Sequence, residues 1–201
     1  MINTHTMKNL ILLFSFLAIV SCNGQTDLET LKFDEKVPGN IVKGEKETEA
    51  NYGLLAYKQA DVQNYKLGTV SFSAYSVPKG YEYSNNNLSV FVNSYQNNNY
   101  LGFILNLAKE DEGKKVIDYL TKTYGNPEKR STDKTGTAYF WDAAAKNKWI
   151  FLTQTQERTQ DNTQYTNTKL IVVKKGIRVE NASDASVFSI LDSFNLAYPK
   201  K

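Results

Sequence analysis

Alternation of apolar and polar positions is the clearest signal along the chain. Val70, Phe72 and Ala74 alternate with Ser71, Ser73 and Tyr75. Leu88, Val90 and Val92 alternate with Ser89, Phe91 and Asn93, and Leu101, Phe103, Leu105 and Leu107 with Gly102, Ile104 and Asn106. A period of two with one apolar face predicts antiparallel strands covered on one side. Asn85-Asn86-Asn87 and Asn97-Asn98-Asn99 predict turns, because Asn tolerates left-handed backbone. Residues 88 to 107 therefore read as a hairpin.

The period then changes. Val116, Ile117, Leu120 and Tyr124 fall on one face at helical spacing. Glu110, Asp111 and Glu112 suit the positive end of that helix, while Gly125 and Pro127 stop it. Three further strands are expected near 137–142, 147–155 and 168–175. A last helix is expected from Ser183 to Phe194 with Asp184 near its start, and an earlier strand near Tyr52 to Tyr57. Runs of strands closed by a helix predict an α+β fold, an antiparallel sheet of about six strands with two helices packed on one face. The two halves share this order, which suggests a pseudo-repeat.

Residues 22–50 are polar and charged, with Lys43 to Glu49 reading Lys-Gly-Glu-Lys-Glu-Thr-Glu. They read as a solvated tether ahead of a single domain at 51–201. Leu31, Phe33, Val37 and Ile41 predict that part of this arm packs on that domain. Further upstream, Lys8 precedes an apolar run from Leu10 to Val20. That run is about 11 residues, too short for a bilayer core that needs about 20, and it fits the apolar region of a signal peptide over residues 1–21. Ile19-Val20-Ser21-Cys22 then resembles the lipobox of bacterial lipoproteins. The resemblance implies cleavage before Cys22 and lipid attachment to its thiol. The alternatives are a simple signal peptide or a buried N-terminal helix with an incidental Cys, and Met7 could serve as the start in place of Met1.

The chain has 201 residues, a formal charge of +3, 41% apolar and 22% charged positions. These values describe an ordinary domain of mixed structure, and exclude a disordered chain or a disulfide scaffold. With one Cys in the whole chain, no intramolecular disulfide is possible. Lys outnumbers Arg, and Asn and Tyr are abundant. With Ser21-Cys22-Asn23-Gly24-Gln25 at the cut, this bias is similar to lipoproteins of Bacteroidetes-type bacteria. That likeness implies an exported protein lipid-anchored to the envelope, at the outer membrane. Leu120 to Pro127 with Trp141 and Trp149 looks like uncharacterised small α+β domains, and Ile190 to Phe194 resembles the closing helix of PsbP-like domains. Neither likeness carries functional residues across.

Candidate chemistry is sparse. The single His, His5, lies in the signal segment, so the mature chain has neither His nor a free thiol for a zinc site or a Ser-His or Cys-His nucleophile. Ser76-Val77-Pro78-Lys79 and Ser131-Thr132-Asp133-Lys134 match S-x-x-K, with Lys134-Thr135-Gly136 following. The pattern needs its Ser at the start of a buried helix with Lys one turn on. Pro78 and Gly80 deny that to the first match, and the second reads as a loop. Glu82 and Asp142 are candidate carboxylates for glycoside chemistry, with solvated strand-end acids as the plainer alternative. Glu110-Asp111-Glu112-Gly113 lacks the alternate spacing of a Ca²⁺ loop.

Tyr81, Tyr83, Tyr95 and Tyr100 surround the Asn-rich turns, and Tyr139, Trp141 and Trp149 cluster later. Of these, Tyr81, Tyr83, Trp141 and Trp149 are the candidate ligand-binding residues, against the alternative that aromatic side chains fill a sheet core. Lys is not concentrated beside the rings, so nucleic acid is not an expected partner. The expectation is a non-enzymatic envelope binding or accessory module without cofactor or metal. Its partners would be the membrane, through a lipid anchor at Cys22, and an envelope protein or glycan. A glycan- or small-ligand-binding lipoprotein and a carboxylate-dependent hydrolase are the alternatives.

Overall fold

The computed structural model describes residues 24–132 and 136–200. Cys22 and the segment read as a signal peptide lie outside the described residues, as do Asp133, Lys134 and Thr135. Among the described residues, eleven strands and two α-helices build the fold: β1 (Thr26–Asp27), β2 (Glu45–Thr48), β3 (Leu55–Gln59), β4 (Tyr65–Leu67), β5 (Val70–Ser71), β6 (Asn87–Asn93), β7 (Asn99–Leu107), α1 (Glu110–Tyr124), β8 (Glu128–Ser131), β9 (Gly136–Ala143), β10 (Lys148–Arg158), β11 (Gln164–Lys174) and α2 (Ile190–Ala197). Eight strands form one antiparallel sheet in the order β2-β3-β6-β7-β11-β10-β9-β8, and β1, β4 and β5 form a small second sheet. The α+β class holds, and the hairpin expected at 88–107 is β6–β7.

Three particulars differ from the expectation of about six strands with both helices on one face, the first being that the strand read from Val70 to Tyr75 is only β5, Val70–Ser71, in the small sheet. The sheet has eight strands, because charged β2 and β8 sit at its two edges, where a strand carries no apolar alternation to announce it. The helices lie on opposite faces. Val116 and Leu120 of α1 pack with Leu88, Val90, Leu105, Ile150 and Leu170. Ile190 and Phe194 of α2 pack with Phe91, Ile104, Trp149, Phe151 and Ile171. Each half of the chain supplies four sheet strands running from an outer edge to the centre, where β7 and β11 pair. The strand order thus repeats. A twofold relating antiparallel β7 and β11 runs perpendicular to the sheet and would keep both helices on one face, so the helices break the repeat.

Local chemistry explains the close contacts. Gly113 lets α1 approach β11, since a Cβ there would collide with Thr168. Gly102 has φ of 151° and sits opposite a register shift at Phe91/Val92, and a Cβ would strike the Val172 carbonyl. Helix α2 begins later than expected. Ser189 caps it, accepting from Asp192 N at 3.1 Å while Asp192 accepts from Ser189 N at 2.9 Å. Asp184 instead closes a turn by accepting from Ser186 N.

The segment expected as a solvated tether is largely part of the domain. From Thr26 onward it carries β1, the buried Leu28, Val37 and Ile41, and the edge strand β2. Glu29 anchors it, pairing with Lys148 Nζ at 3.1 Å and accepting from Tyr124 Oη at 2.6 Å. Burial, then this bond, pushes the Tyr124 hydroxyl well above the usual tyrosine range. Among the described residues no helix is long and apolar enough to cross a membrane.

Candidate functional site

Polarity on the α2 face of the large sheet changes row by row along the strands. One row, Phe91, Gly102, Val173 and Trp149, is apolar or glycine. The next, Ser89, Ile104, Ile171, Phe151 and Phe140, is apolar over most of its length. Asn87, Asn106, Lys169 and Thr153 form a third row, polar from β6 to β10 and ending on β9 at the buried Ala138. Asn167 with Thr155 and Tyr165 with Glu157 continue it toward the β10–β11 turn. Helix α2 covers the apolar rows and ends before the polar ones. The uncovered part is the floor of a groove of about 750 Å³, lined among others by Glu47, Glu82, Tyr83, Asn106, Asn167 and Lys169.

The groove wall is the loop from Ser76 to Asn85. A bridge between those two residues closes it, and Val77 N bonds Ser84 O at 2.9 Å. It is fixed to the β10–β11 turn at several points. Lys79 pairs with Asp161 at 3.0 Å, and Gln160 N donates to Lys79 O at 3.1 Å. Thr159, then Lys79 and Thr163, hold the Asp161 carboxyl down to about 2. Ser84 Oγ lies 2.8 Å from Tyr165 Oη, which donates to Glu157 at 2.9 Å, and Asn167 donates to the same carboxylate at 3.2 Å. This pre-organised loop presents Tyr81 and Tyr83 as a stacked pair, centroids 5.3 Å apart and 6° from parallel. Tyr83 is 67% exposed and Tyr81 44%.

The four candidate aromatic residues therefore separate. Tyr83 lines the groove, with Tyr81 stacked on it. Trp141 and Trp149, 3% and 7% exposed, are instead core residues on opposite faces of the sheet. Trp141 Nε1 donates to Gly125 O at 2.8 Å, tying down the end of α1. Trp149 Nε1 is buried without a partner among the described residues. The candidate carboxylates separate as well. Glu82 lines the groove, whereas Asp142 pairs with Lys175 at 2.8 Å beside Trp149. Trp149 and the groove residue Glu157 lie eight positions apart on β10, about 27 Å along a strand. Glu82 and Asp142 thus do not flank one sugar bond. Ser76 and Lys79 lie in a turn, with Lys79 at φ 56° and its ammonium on Asp161. Among the described residues no three His, Cys, Asp or Glu side chains group as metal ligands.

Sequence reasoning missed the polar rows. Their signal is present in Thr153-Gln154-Thr155-Gln156-Glu157 and Tyr165-Thr166-Asn167-Thr168-Lys169, strand halves with no apolar face at all. A second opening joins the groove. It is a slot of about 270 Å³ between α2 and the β2–β3 turn, lined by Tyr52, Phe151, Ile171, Phe194 and Tyr198, with Thr153 and Lys169 at its polar side. Burial, then the nearby Glu49, pushes the Tyr52 hydroxyl up to about 12. Comparison of the chain with protein-family models, curated proteins and solved structures finds no match.

Proposed function

We propose that the protein is an exported, lipid-anchored envelope protein that acts as a non-enzymatic binding module, tethered through Cys22 and presenting the polar groove as its binding surface. The lipobox-like Ile19-Val20-Ser21-Cys22 supports the anchor. The observation that carries the binding role is the uncovered row Asn87–Asn106–Lys169–Thr153 beside an exposed stacked tyrosine pair. Strands hold these groups rigidly, the property a recognition surface needs, and folding alone does not require them to form a groove. The anchor test is Cys22→Ala, which should release the protein from membranes; retention would refute the tether. The binding test is a photo-crosslinking residue at the exposed Glu82 in intact cells. A stoichiometric adduct is the expected result, and the absence of any adduct from an abundant, folded protein would count against the groove.

A glycan is the second reading, favoured by the Tyr81–Tyr83 pair above a floor of amides and hydroxyls. Aromatic faces give a ring-shaped ligand a large contact at low entropic cost. An oligosaccharide binding screen, with Tyr83→Ala as control, separates this reading from a protein partner.

A further inference from the structure

We infer that the groove takes an amphipathic carboxylate, its anionic group on the Lys169 ammonium and its apolar body in the slot beneath α2. The inference rests on the reading of the groove as the binding surface and names the ligand class for it.

Lys169 carries the argument. It is half-buried in the polar row, between Asn106 on β7 and Thr153 on β10. Among the described residues its ammonium has no hydrogen-bond or ion-pair partner. Several nearby lysines are paired, Lys148 with Glu29, Lys174 with Asp34 and Lys175 with Asp142, while Lys58, which lines the same groove, like Lys169 has no such partner among the described residues. Among the described residues no carboxylate of the groove reaches the Lys169 ammonium, so an anion placed on it makes a charge-assisted contact that nothing in the free protein makes. Asn106 and Thr153 flank it with further polar groups for the same oxygens.

The slot supplies the second half. Lys169 and Thr153 line the groove-side wall, while Phe151, Ile171 and Phe194 form an apolar interior. An apolar cavity of about 150 Å³ holds one benzene ring, so about 270 Å³ has room for a ring with a short chain. Charge at the mouth and hydrocarbon within define an amphipathic anion. Surrounding carboxylates favour a single charge over a phosphate dianion. Glu47 already accepts from Ser89 and Glu157 from Tyr165 and Asn167, so they offer the ligand repulsion rather than bonds.

The test uses the full chain carrying Cys22→Ala, titrated with 4-phenylbutyrate and with its neutral analogue 4-phenylbutanol. Calorimetry gives affinity, and backbone amide shifts give location. The carboxylate should bind more tightly and shift Thr153, Lys169 and Ile171. Lys169→Met should weaken it about tenfold or more and leave the alcohol unaffected. Lys169→Arg should retain binding, which separates lost charge from lost structure, and Ser193→Phe should block both probes. Equal affinity for the two probes, indifference to Lys169→Met, or binding that survives Ser193→Phe would overturn the inference. If oligosaccharides or a protein partner shift groove amides while carboxylates shift none, this ligand class is wrong and the groove reading stands. If no probe or partner engages the groove, both are wrong.

Discussion

Removing the Glu29 carboxylate should unfasten the N-terminal segment and destabilise the whole domain. Glu29 Oε2 meets Lys148 Nζ at 3.1 Å and Tyr124 Oη at 2.6 Å, and Lys148 also donates to Tyr124 Oη at 3.1 Å. The two charged side chains are 12% and 10% exposed, so solvent replaces little of what is lost. Glu29→Ala leaves a nearly buried ammonium facing only a neutral hydroxyl and the Tyr124 ring, 5.5 Å away. Breaking one partner of such a pair costs about 3–5 kcal/mol. For a domain of this size each kcal/mol lowers Tm by about 2–4 °C, so a fall of roughly 6–20 °C is expected. Glu29→Leu combined with Lys148→Met should recover most of the loss, because it removes both charges instead of stranding one. Urea and thermal unfolding of the two single variants and the double variant give the coupling energy. Amide exchange adds the local readout: Leu28 and Ile41 should be protected as strongly as β10 and β11. A Glu29→Ala cost below about 0.5 kcal/mol, or free exchange across residues 26–43, would show that this segment is a tether after all.

Asn86→Ala should cost about 2–4 kcal/mol in urea unfolding, since the Asn86 amide accepts from Ala108 N and donates to Ser73 O and to the buried Glu112 carboxylate; a loss under 1 kcal/mol would mean water replaces it. Trp149→Phe should be milder than Trp141→Phe, because it removes an orphaned buried N–H while the other removes a bond to Gly125; the reverse order of Tm values would refute this. Alkaline pH should destabilise the fold between about pH 10 and 12. The Tyr52 hydroxyl ionises near 10 when unfolded and near 12 when folded. Its contribution is therefore complete below pH 10, falls as pH rises, and is gone above 12. Tyr52→Phe should flatten that part of a pH titration of stability, and an unchanged slope would contradict the assignment.

The parts of the fold legible in the sequence are those where one period dominates. Helix α1 shows an apolar stripe with acids at its start and Gly125 at its end, and β6–β7 shows two alternating runs around an Asn-rich turn. What escaped has a physical reason. Glu45-Lys46-Glu47-Thr48 is an edge strand whose pairing is a backbone matter, so its side chains carry no periodic signal. The placement of the helices on opposite faces was written in Ile150-Phe151-Leu152 and Leu170-Ile171-Val172-Val173, where consecutive apolar residues require both faces of the sheet to be buried. Reading Ile104 as a polar-face position hid the same message in β7. At the site, Tyr81 and Tyr83 were readable because Pro78, Gly80 and the Asn run mark an exposed turn. Trp141 and Trp149 carry the same chemistry within long strands, and there burial wins.

The integration of residues 26–50 into the domain bears on what the groove can meet. If Cys22 carries the lipid, only Asn23, Gly24 and Gln25 separate it from β1, a reach of about 10 Å at full extension. On the proposed anchoring, this short link holds β1 closer to the membrane than a tether running to residue 50 would. Strand β1 pairs with β4, and Tyr65, Leu67 and Val70 of the small sheet pack into the core on the α1 side. The groove lies on the α2 side of the large sheet, which is the other face. Strand β1 with its small sheet and the groove therefore lie on opposite sides of the large sheet. On the anchoring we propose at Cys22, the groove is expected to open away from the bilayer, and its ligand to arrive from the aqueous side. A carboxylate small enough to be soluble meets that condition, whereas a lipid resident in the same bilayer would have to leave it first. The slot of about 270 Å³ agrees with the smaller molecule, since it holds about one ring with a short chain and not a full acyl tail.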